Sequence, residues 1–262
     1  MGRYFHLLSL QIRASLLVAL QYRLEFVVDG VTELFWAATT FVPLFVVFDR
    51  RTSVGGWTFG ESLLVLGYFQ LLKSLLEGAV NPSLLKVVEQ VRKGTFDFVL
   101  LKPADAQFLV STTKFVPSAL IGAVGGLGLL VWGFVRIGHP PSPAAVVASA
   151  LLLGSAVALL YALWIIVAGL AFTAVRVDNL SYLFTSVFDA ARWPSSVFRG
   201  ALGFVFTWVV PLSLMTTVPA AALLGRLSWN MGVGAVTLSA AFSFVARRLW
   251  RRSLARYASA SS

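Results

Sequence analysis

The stretch that decides the reading is Asn81–Asp105, NPSLLKVVEQVRKGTFDFVLLKPAD. It is the longest polar interruption of an otherwise apolar chain. Asn81-Pro82 reads as a helix stop. A short amphipathic helix follows, with Leu84, Leu85, Val88 and Val91 on one face and Lys86, Glu89, Arg92 and Lys93 on or beside the other. Gly94 is a natural C-terminal cap for it. Asp97 then falls in the short apolar run TFDFVLL, which Lys102-Pro103 ends. A surface helix of this size between two membrane spans is suited to touching a partner or lipid headgroups. The plainer alternative is a solvated loop containing a helical turn.

Working outward, the 262 residues are 58% hydrophobic and only 12% charged, with a mean hydropathy of +0.84. Such a balance excludes an ordinary soluble domain. In lipid, backbone polar groups must be satisfied internally, so the expected class is an all-α polytopic membrane protein. An outer-membrane barrel would alternate polar and apolar residues over segments of about ten, and the apolar runs here are longer and continuous. There is no cysteine, hence no disulfide, thiolate chemistry or thiolate-bound metal. The net charge of +10 fits basic loops on anionic lipid better than nucleic acid, and no cleavable signal peptide is evident.

The chain divides as one transmembrane domain over residues 1–262. Residues 1–24 form an interfacial elbow helix, because the apolar stretch between Arg13 and Arg23 is too short to span about 30 Å of hydrocarbon. Six spans follow, at 25–48, 59–80, 107–135, 144–175, 200–224 and 228–246, with the loop 81–105 between the second and third. In the first span the uncharged part, Leu34 to Phe48, covers only about 22 Å at 1.5 Å per residue. Asp29 and Glu33 are therefore drawn to the hydrocarbon edge, and with Glu25 they recur every four residues on one helical face. Lys73 and Glu77, also four apart, are drawn into the second span. Glu33 and Lys73 lie at similar depth on antiparallel helices. The expectation is a Glu33–Lys73 contact or a shared site that includes Glu77, against separate snorkelling to the interface. Gly122-x-x-x-Gly126 offers a small-residue face for close helix packing. Residues 179–199 read as a further cytoplasmic interfacial segment. Pro211 and Pro219 break the fifth span, whose outer half is kinked or re-entrant.

With both termini inside, the inner side receives Arg3, Arg13, Arg23, Lys86, Arg92, Lys93, Lys102, Lys114, Arg176, Arg192, Arg199 and the five arginines of the tail, sixteen in all. The outer side receives four, Arg50, Arg51, Arg136 and Arg226. This positive-inside bias places the Asn81–Asp105 loop in the cytoplasm.

Motifs for chemistry are missing. No G-x-x-x-x-G-K-[ST], H-E-x-x-H or G-x-S-x-G occurs, and His6 and His139 fall on opposite membrane faces. No catalytic, cofactor-binding or metal-binding residue is expected in this chain.

Three stretches, VRKGTFDFVLLKPAD (91–105), PLSLMTTVPAAALLG (211–225) and RRSLARYASASS (251–262), carry a resemblance. The chain resembles the membrane subunit of bacterial ABC transporters of the type-two, exporter class, in a subfamily of about 260 residues with six spans. The likeness covers essentially the whole chain, and its most specific part is Arg92 to Pro103. It implies that the loop helix is a coupling helix, with Lys86, Glu89, Arg92, Lys93 and Asp97 facing a separate ATPase subunit. ATP and Mg would be bound in that partner, not here. It also implies a second permease chain, identical or paralogous, and residence in the bacterial cytoplasmic membrane on anionic lipid. Two other readings stand beside it. One is a secondary transporter or channel using Glu33, Lys73 and Glu77. The other is a non-transporting scaffold that recruits a partner through the loop.

Overall fold

The computed structural model describes residues 2–170, 172 and 185–257. Helix α1 (Gly2–Gln21) buries no residue and runs into α2 (Arg23–Asp49) across an elbow at Tyr22. A two-stranded hairpin, β1 (Ser53–Val54) and β2 (Trp57–Thr58), turns on Gly55 and Gly56, both at positive φ. That turn suits glycine because both central residues must be left-handed. Thr58 then caps α3 (Phe59–Leu75) in a capping box with Glu61.

The first departure from expectation is at Asn81-Pro82. The helix does not stop there. Helix α3 continues through a π turn, Leu76–Val80, into α4 (Asn81–Arg92), one helix of 34 residues from Phe59 to Arg92. Proline lacks the N–H that would bond residue 78, and its ring crowds that carbonyl. The π turn carries the chain through, with the Asn81 N–H donating to Leu76 O, five residues back. The Gly78 carbonyl that Pro82 leaves free accepts instead from Val116 N at 2.7 Å. Gly94, at φ 67°, ends α4 as expected, with Thr95 N bonding Gln90 O and Gly94 N bonding Val91 O.

The second departure is in the stretch expected as one span over 107–135. It contains α6 (Ala106–Ser111), an irregular turn, and only then α7 (Ala119–Ile137); a single turn of helix, α5 (Asp97–Leu100), precedes them. The irregular turn is apolar in composition. Its backbone is nevertheless satisfied: Lys114 exchanges two hydrogen bonds with Ser83 Oγ (2.8 and 3.1 Å), and Phe115 N bonds Ser15 Oγ at 3.2 Å.

Helix α8 (Pro143–Leu170) returns antiparallel to α7. Residues 171 and 173–175 of the expected fourth span, and 179–184 of the expected interfacial segment 179–199, lie outside the described residues. Beyond them come two 3₁₀ turns, Asp189–Arg192 and Ser195–Val197. Helix α9 (Gly200–Phe204) continues as a π turn, Val205–Val209, and is followed by α10 (Leu212–Met215) and α11 (Thr217–Leu223). Helix α12 (Trp229–Ala255) extends nine residues past the expected end at 246, so most of the arginine tail is helical.

The expected fifth span, 200–224, is bent by 59° between α9 and α10–α11. Two tethers decide how it sits. Ser196 Oγ donates to Gly55 O in the β-hairpin at 2.7 Å, and Arg226 pairs with Glu61, beside that hairpin, at 2.5 Å. Both ends of the bent segment are thus at the hairpin end of the bundle, and it is a re-entrant pair. Phe172, by contrast, packs on Trp250 and Tyr257 at the opposite end, near Gly94. This corrects the placement of Arg199 and Ser195–Val197 on the inner side. Among the described residues, five helices are long and apolar enough to cross a membrane, or six if the bent pair is counted as one span.

Helix α3 forms the centre. A glycine ladder seats α7 on it: a Cβ at Gly126 would stand 3.0 Å from Gly67 O, and one at Gly133 2.9 Å from Gly60 O. Small residues allow backbones to approach this closely, which is how helices associate where lipid supplies no hydrophobic drive. Helix α8 packs on α12, with Ser239 Oγ donating to Ser155 O at 2.7 Å.

Candidate functional site

Two places concentrate polar chemistry, one at each level of the long helix. At the Gly94 end, α4 turns Leu84, Val87 and Val88 inward. Lys86, Glu89, Arg92 and Lys93 are exposed, and Lys93 pairs with Glu89 at 2.5 Å, four residues back. Leu85, expected on the apolar face, is 39% exposed. Val87 takes its place, because the face follows the helix as it continues from α3. Phe98 and Leu101 stand out further, at 68% and 80% exposed. This tip therefore offers a mosaic of charge and large apolar groups. Asp97 is set apart from the other expected coupling residues. It is half-buried on α5, and burial together with the nearby Asp97 carboxylate pushes the Tyr257 hydroxyl above its ordinary pKa. Phe96 is fully buried beside it, edge-on to Phe172 and Tyr257 at 5.3 and 5.5 Å.

A latch holds the same end together. Asp105 caps α6, accepting from Phe108 N at 3.0 Å. Its other oxygen accepts from Arg247 of α12 at 2.7 Å, and Arg247 also bonds Gln107 Oε1. The Arg247 hydrogen bond holds the Asp105 carboxyl below the usual carboxylate range, against the opposing pull of desolvation. Helix α1 joins here: Tyr4 Oη accepts from Asp105 N at 3.3 Å, the Tyr4 ring meets Phe108 at 4.8 Å, and Arg3 bonds Pro103 O. The sequence signal for this latch is an aspartate directly before a helical run, Asp105-Ala-Gln-Phe.

Deeper in the bundle, Lys73 lies 3.8 Å from Glu77. Glu33 is near both but forms no ion pair with Lys73, so the expected direct Glu33–Lys73 contact is absent. Its carboxylate instead approaches Gly122 of α7, beside Gln70 and Ser74 of α3. Asp189 and Arg192 add a pair at 3.5 Å, with the guanidinium 5.9 Å over the Phe69 ring. Nearer the hairpin, Tyr68 Oη donates to Ser149 Oγ, which donates to Pro219 O at 2.7 Å. This chain joins α3, α8 and the re-entrant α11. The buried Glu61 and its partner Arg226 lie at the hairpin end itself. Among the described residues, no group of three or more His, Asp or Glu side chains is placed to hold a metal ion.

A family model described as ABC-2 family transporter protein matches residues 34–261. The chain belongs to that family. No curated protein and no solved structure matched the chain significantly. The protein is thus a membrane-embedded component of an ABC-2 transporter, of a family whose membrane permeases are typically non-catalytic and in general imply an ABC ATPase partner. One helix, Phe59–Arg92, carries both the exposed tip and the partly buried Lys73–Glu77 pair. Lys86, Glu89, Arg92 and Lys93 share that tip, Asp97 is turned into the aromatic cluster, and Lys73 and Glu77 lie further back on the same helix, with Glu33 near them on α2. Asp105, Arg247, Gln70 and Ser74 were not foreseen. Gln70 and Ser74 sit in an apolar run where single polar residues have no period to mark them.

Proposed function

We propose that this chain is the permease subunit of an ATP-driven exporter in the bacterial cytoplasmic membrane, with both termini and the Gly94 end in the cytoplasm. Its Lys86–Lys93 tip docks on a separate ATPase subunit that binds ATP and Mg, and a second permease chain completes the path. The observation that supports this most is the unbroken helix Phe59–Arg92. It passes the partly buried Lys73 and Glu77 and ends in exposed charges. At 1.5 Å per residue its 34 residues reach about 50 Å, more than the roughly 30 Å of hydrocarbon. The last turns therefore project into water, where an ATPase can grip them. A rigid rod of this kind transmits displacement, and the exposed Phe98 and Leu101 give a partner apolar anchors beside the charges. The basic residues near this end, Arg3, Arg13, Lys86, Arg92, Lys93, Lys102 and the tail arginines, favour the cytoplasmic side and its anionic lipid.

The test is purification of tagged protein from its own membranes in mild detergent. A P-loop ATPase is expected to co-purify and to be lost on Glu89→Arg or Arg92→Glu. A chain that emerges alone and still moves solute in liposomes would remove the docking role and favour a secondary transporter built on Glu33, Lys73 and Glu77.

A further inference from the structure

Helix α1 buries none of its own residues. It is fastened to the bundle by polar contacts at Arg3, Tyr4 and Ser15, and its apolar underside covers a hollow. Ile12 and Leu16 of α1 wall a cavity of about 510 Å³ together with Leu71 and Leu75 of α3 and Leu120 and Ala123 of α7. Ser74 is the one hydroxyl in its lining. Ile12, Leu16 and Leu120 are 39%, 41% and 66% exposed, so the cavity opens on the face that a bilayer covers. Its volume falls in the range of small-molecule sites. A void leaves its lining without dispersion partners, and in a bilayer the hydrocarbon at hand to fill it is an acyl chain.

Beside this cavity, toward the elbow, lies a second depression of about 260 Å³ with polar walls. The two share Phe115, Val116 and Pro117 of the irregular turn. Ser15, Ala19 and Tyr22, on one face of α1, border the second depression as Ile12 and Leu16 border the first. Its charged groups are Lys114 from the turn and Glu25 and Asp29 from the first turns of α2. Lys114 is fixed by its backbone, which exchanges two hydrogen bonds with Ser83 Oγ, while Phe115 N donates to Ser15 Oγ at 3.2 Å. All three charged side chains are exposed, and among the described residues none of them forms an ion pair or a hydrogen bond. The ammonium and the two carboxylates thus border one space without closing on each other. A depression that carries both signs of charge, joined to an apolar cavity, has the layout of an amphipath with a zwitterionic head.

We propose that this elbow binds one phospholipid whose headgroup carries a phosphate and a primary ammonium, the chemistry of phosphatidylethanolamine. Lys114 receives the phosphate, Glu25 and Asp29 receive the ammonium, and one acyl chain lies under α1 against Ile12, Leu16 and Leu120. A primary ammonium brings three N–H donors, and bonds from them to a carboxylate are charge-assisted. A choline headgroup has no such donor. A glycerol headgroup leaves two carboxylates facing a lipid of net negative charge. The bound lipid fastens α1 to α2 and α7. The site requires only that the chain sits in a bilayer, so it stands apart from the docking of an ATPase.

The experiment is native mass spectrometry of the full chain in mild detergent. The chain is given an equimolar mixture of phosphatidylethanolamine, phosphatidylcholine and phosphatidylglycerol with identical acyl chains, distinguished by deuteration. The first lipid retained is expected to be phosphatidylethanolamine, about three- to fivefold over either of the others, the worth of an exposed ion pair. Glu25→Gln combined with Asp29→Asn removes that preference. Glu25→Asp combined with Asp29→Glu keeps part of it, which shows that charge rather than misfolding is read. Lys114→Gln lowers retention of all three lipids about threefold, since each carries a phosphate. Ala123→Leu, which fills the cavity, lowers retention of all three and leaves their ratio unchanged. Equal retention of the three lipids by the wild-type chain, a preference for phosphatidylglycerol, or a preference that survives the double neutralisation overturns the proposal. Retention unaffected by Ala123→Leu overturns the placement of the acyl chain. ATPase co-purification on the same preparations separates this claim from the exporter reading. Selective lipid retention by a chain that has no ATPase partner supports the site and sinks only that reading. An intact complex with no lipid preference does the reverse.

Discussion

Substitution of Asp105 gives a quantitative test of how the Gly94 end is held. Asp105→Ala removes two things at once. The first is the N-cap of α6, the Phe108 N bond at 3.0 Å, and losing a cap of this kind costs about 1 kcal/mol. The second is the pair with Arg247 at 2.7 Å, whose side chains are 37% and 36% exposed. Exposure at that level screens the pair, and about 0.5–1 kcal/mol is appropriate. Together the loss is about 1.5–2 kcal/mol, or roughly a 10–30-fold rise in local opening. The assay is amide hydrogen exchange of residues 106–112 in nanodiscs, where local opening is read directly. Asparagine caps about as well as aspartate, so Asp105→Asn should lose only the pair and speed exchange roughly threefold, as should Arg247→Gln. A change under threefold for Asp105→Ala, or equal effects of Ala and Asn, would refute the two-part account. The pH dependence has a fixed sign. Asp105 has a folded pKa below its unfolded value of about 3.9, so its contribution is fully present above about pH 4 and is lost as pH falls through the lower folded value. Exchange in the wild type should therefore speed up relative to Asp105→Asn only below about pH 4.

Three further outcomes are expected. The chain has no cysteine, so single cysteines at Gly56, Ser196 and Asn230 should react with an impermeant maleimide from one side of the membrane, and those at Lys93 and Lys102 from the other; Ser196 reacting with the Lys93 group would end the re-entrant assignment. Gly126→Leu places a side chain against Gly67 O, 3.0 Å from its Cβ, and should abolish a monodisperse peak in size exclusion, since overpacking costs about 1–3 kcal/mol even where neighbours can yield. Tyr68→Phe leaves Ser149 bonded to Pro219 O and should cost about 1 kcal/mol, whereas Ser149→Ala strands both ends of the chain and should cost more in thermal unfolding; the opposite order would show that the hydroxyl chain is not a structural link.

The membrane class was legible because composition alone excludes soluble folds, and Gly94 because a left-handed cap calls for glycine. The three boundaries that differ share a cause: local sequence was overruled by a distant partner. Pro82 reads as a stop only if the freed Gly78 carbonyl has nowhere to go, and Val116 supplies the donor. The turn before α7 reads as helix because FVPSAL is apolar, while its N–H groups are taken by Ser15 and Ser83, 100 and 31 residues away respectively. The segment 200–224 reads as a span by length, and only the Ser196 and Arg226 tethers reveal that its ends are on one side. The candidate charges were legible as costly groups in lipid. Their grouping was not, because Glu33 meets Ser74 and Gln70 through the absence of a side chain at Gly122.

These same distant bonds define what moves as a unit. The turn before α7 is fastened to the long helix by Val116 N to Gly78 O at 2.7 Å and by the two Ser83–Lys114 bonds. Breaking them without water to replace them leaves unsatisfied groups at about 1–3 kcal/mol each. The glycine ladder locks α7 to α3 along its length. A displacement of α4 is therefore expected to carry α3 and α7 together, with Ser74, Gln70 and Gly122 fixed relative to one another. Glu33 is on α2, outside that unit, so its distance from Ser74 and Gln70 would change as α2 and the α3–α7 pair part. Gly30 of α2 lies against α7, where a Cβ would come 2.8 Å from Ile121 Cδ1. Cysteines at Gly30 and Ile121 joined by a short bifunctional thiol reagent should stop ATP-driven transport while ATPase co-purification is unchanged. Transport that continues across that link would show that α2 and the α3–α7 unit need not part, and the lever would have to be sought elsewhere in the bundle.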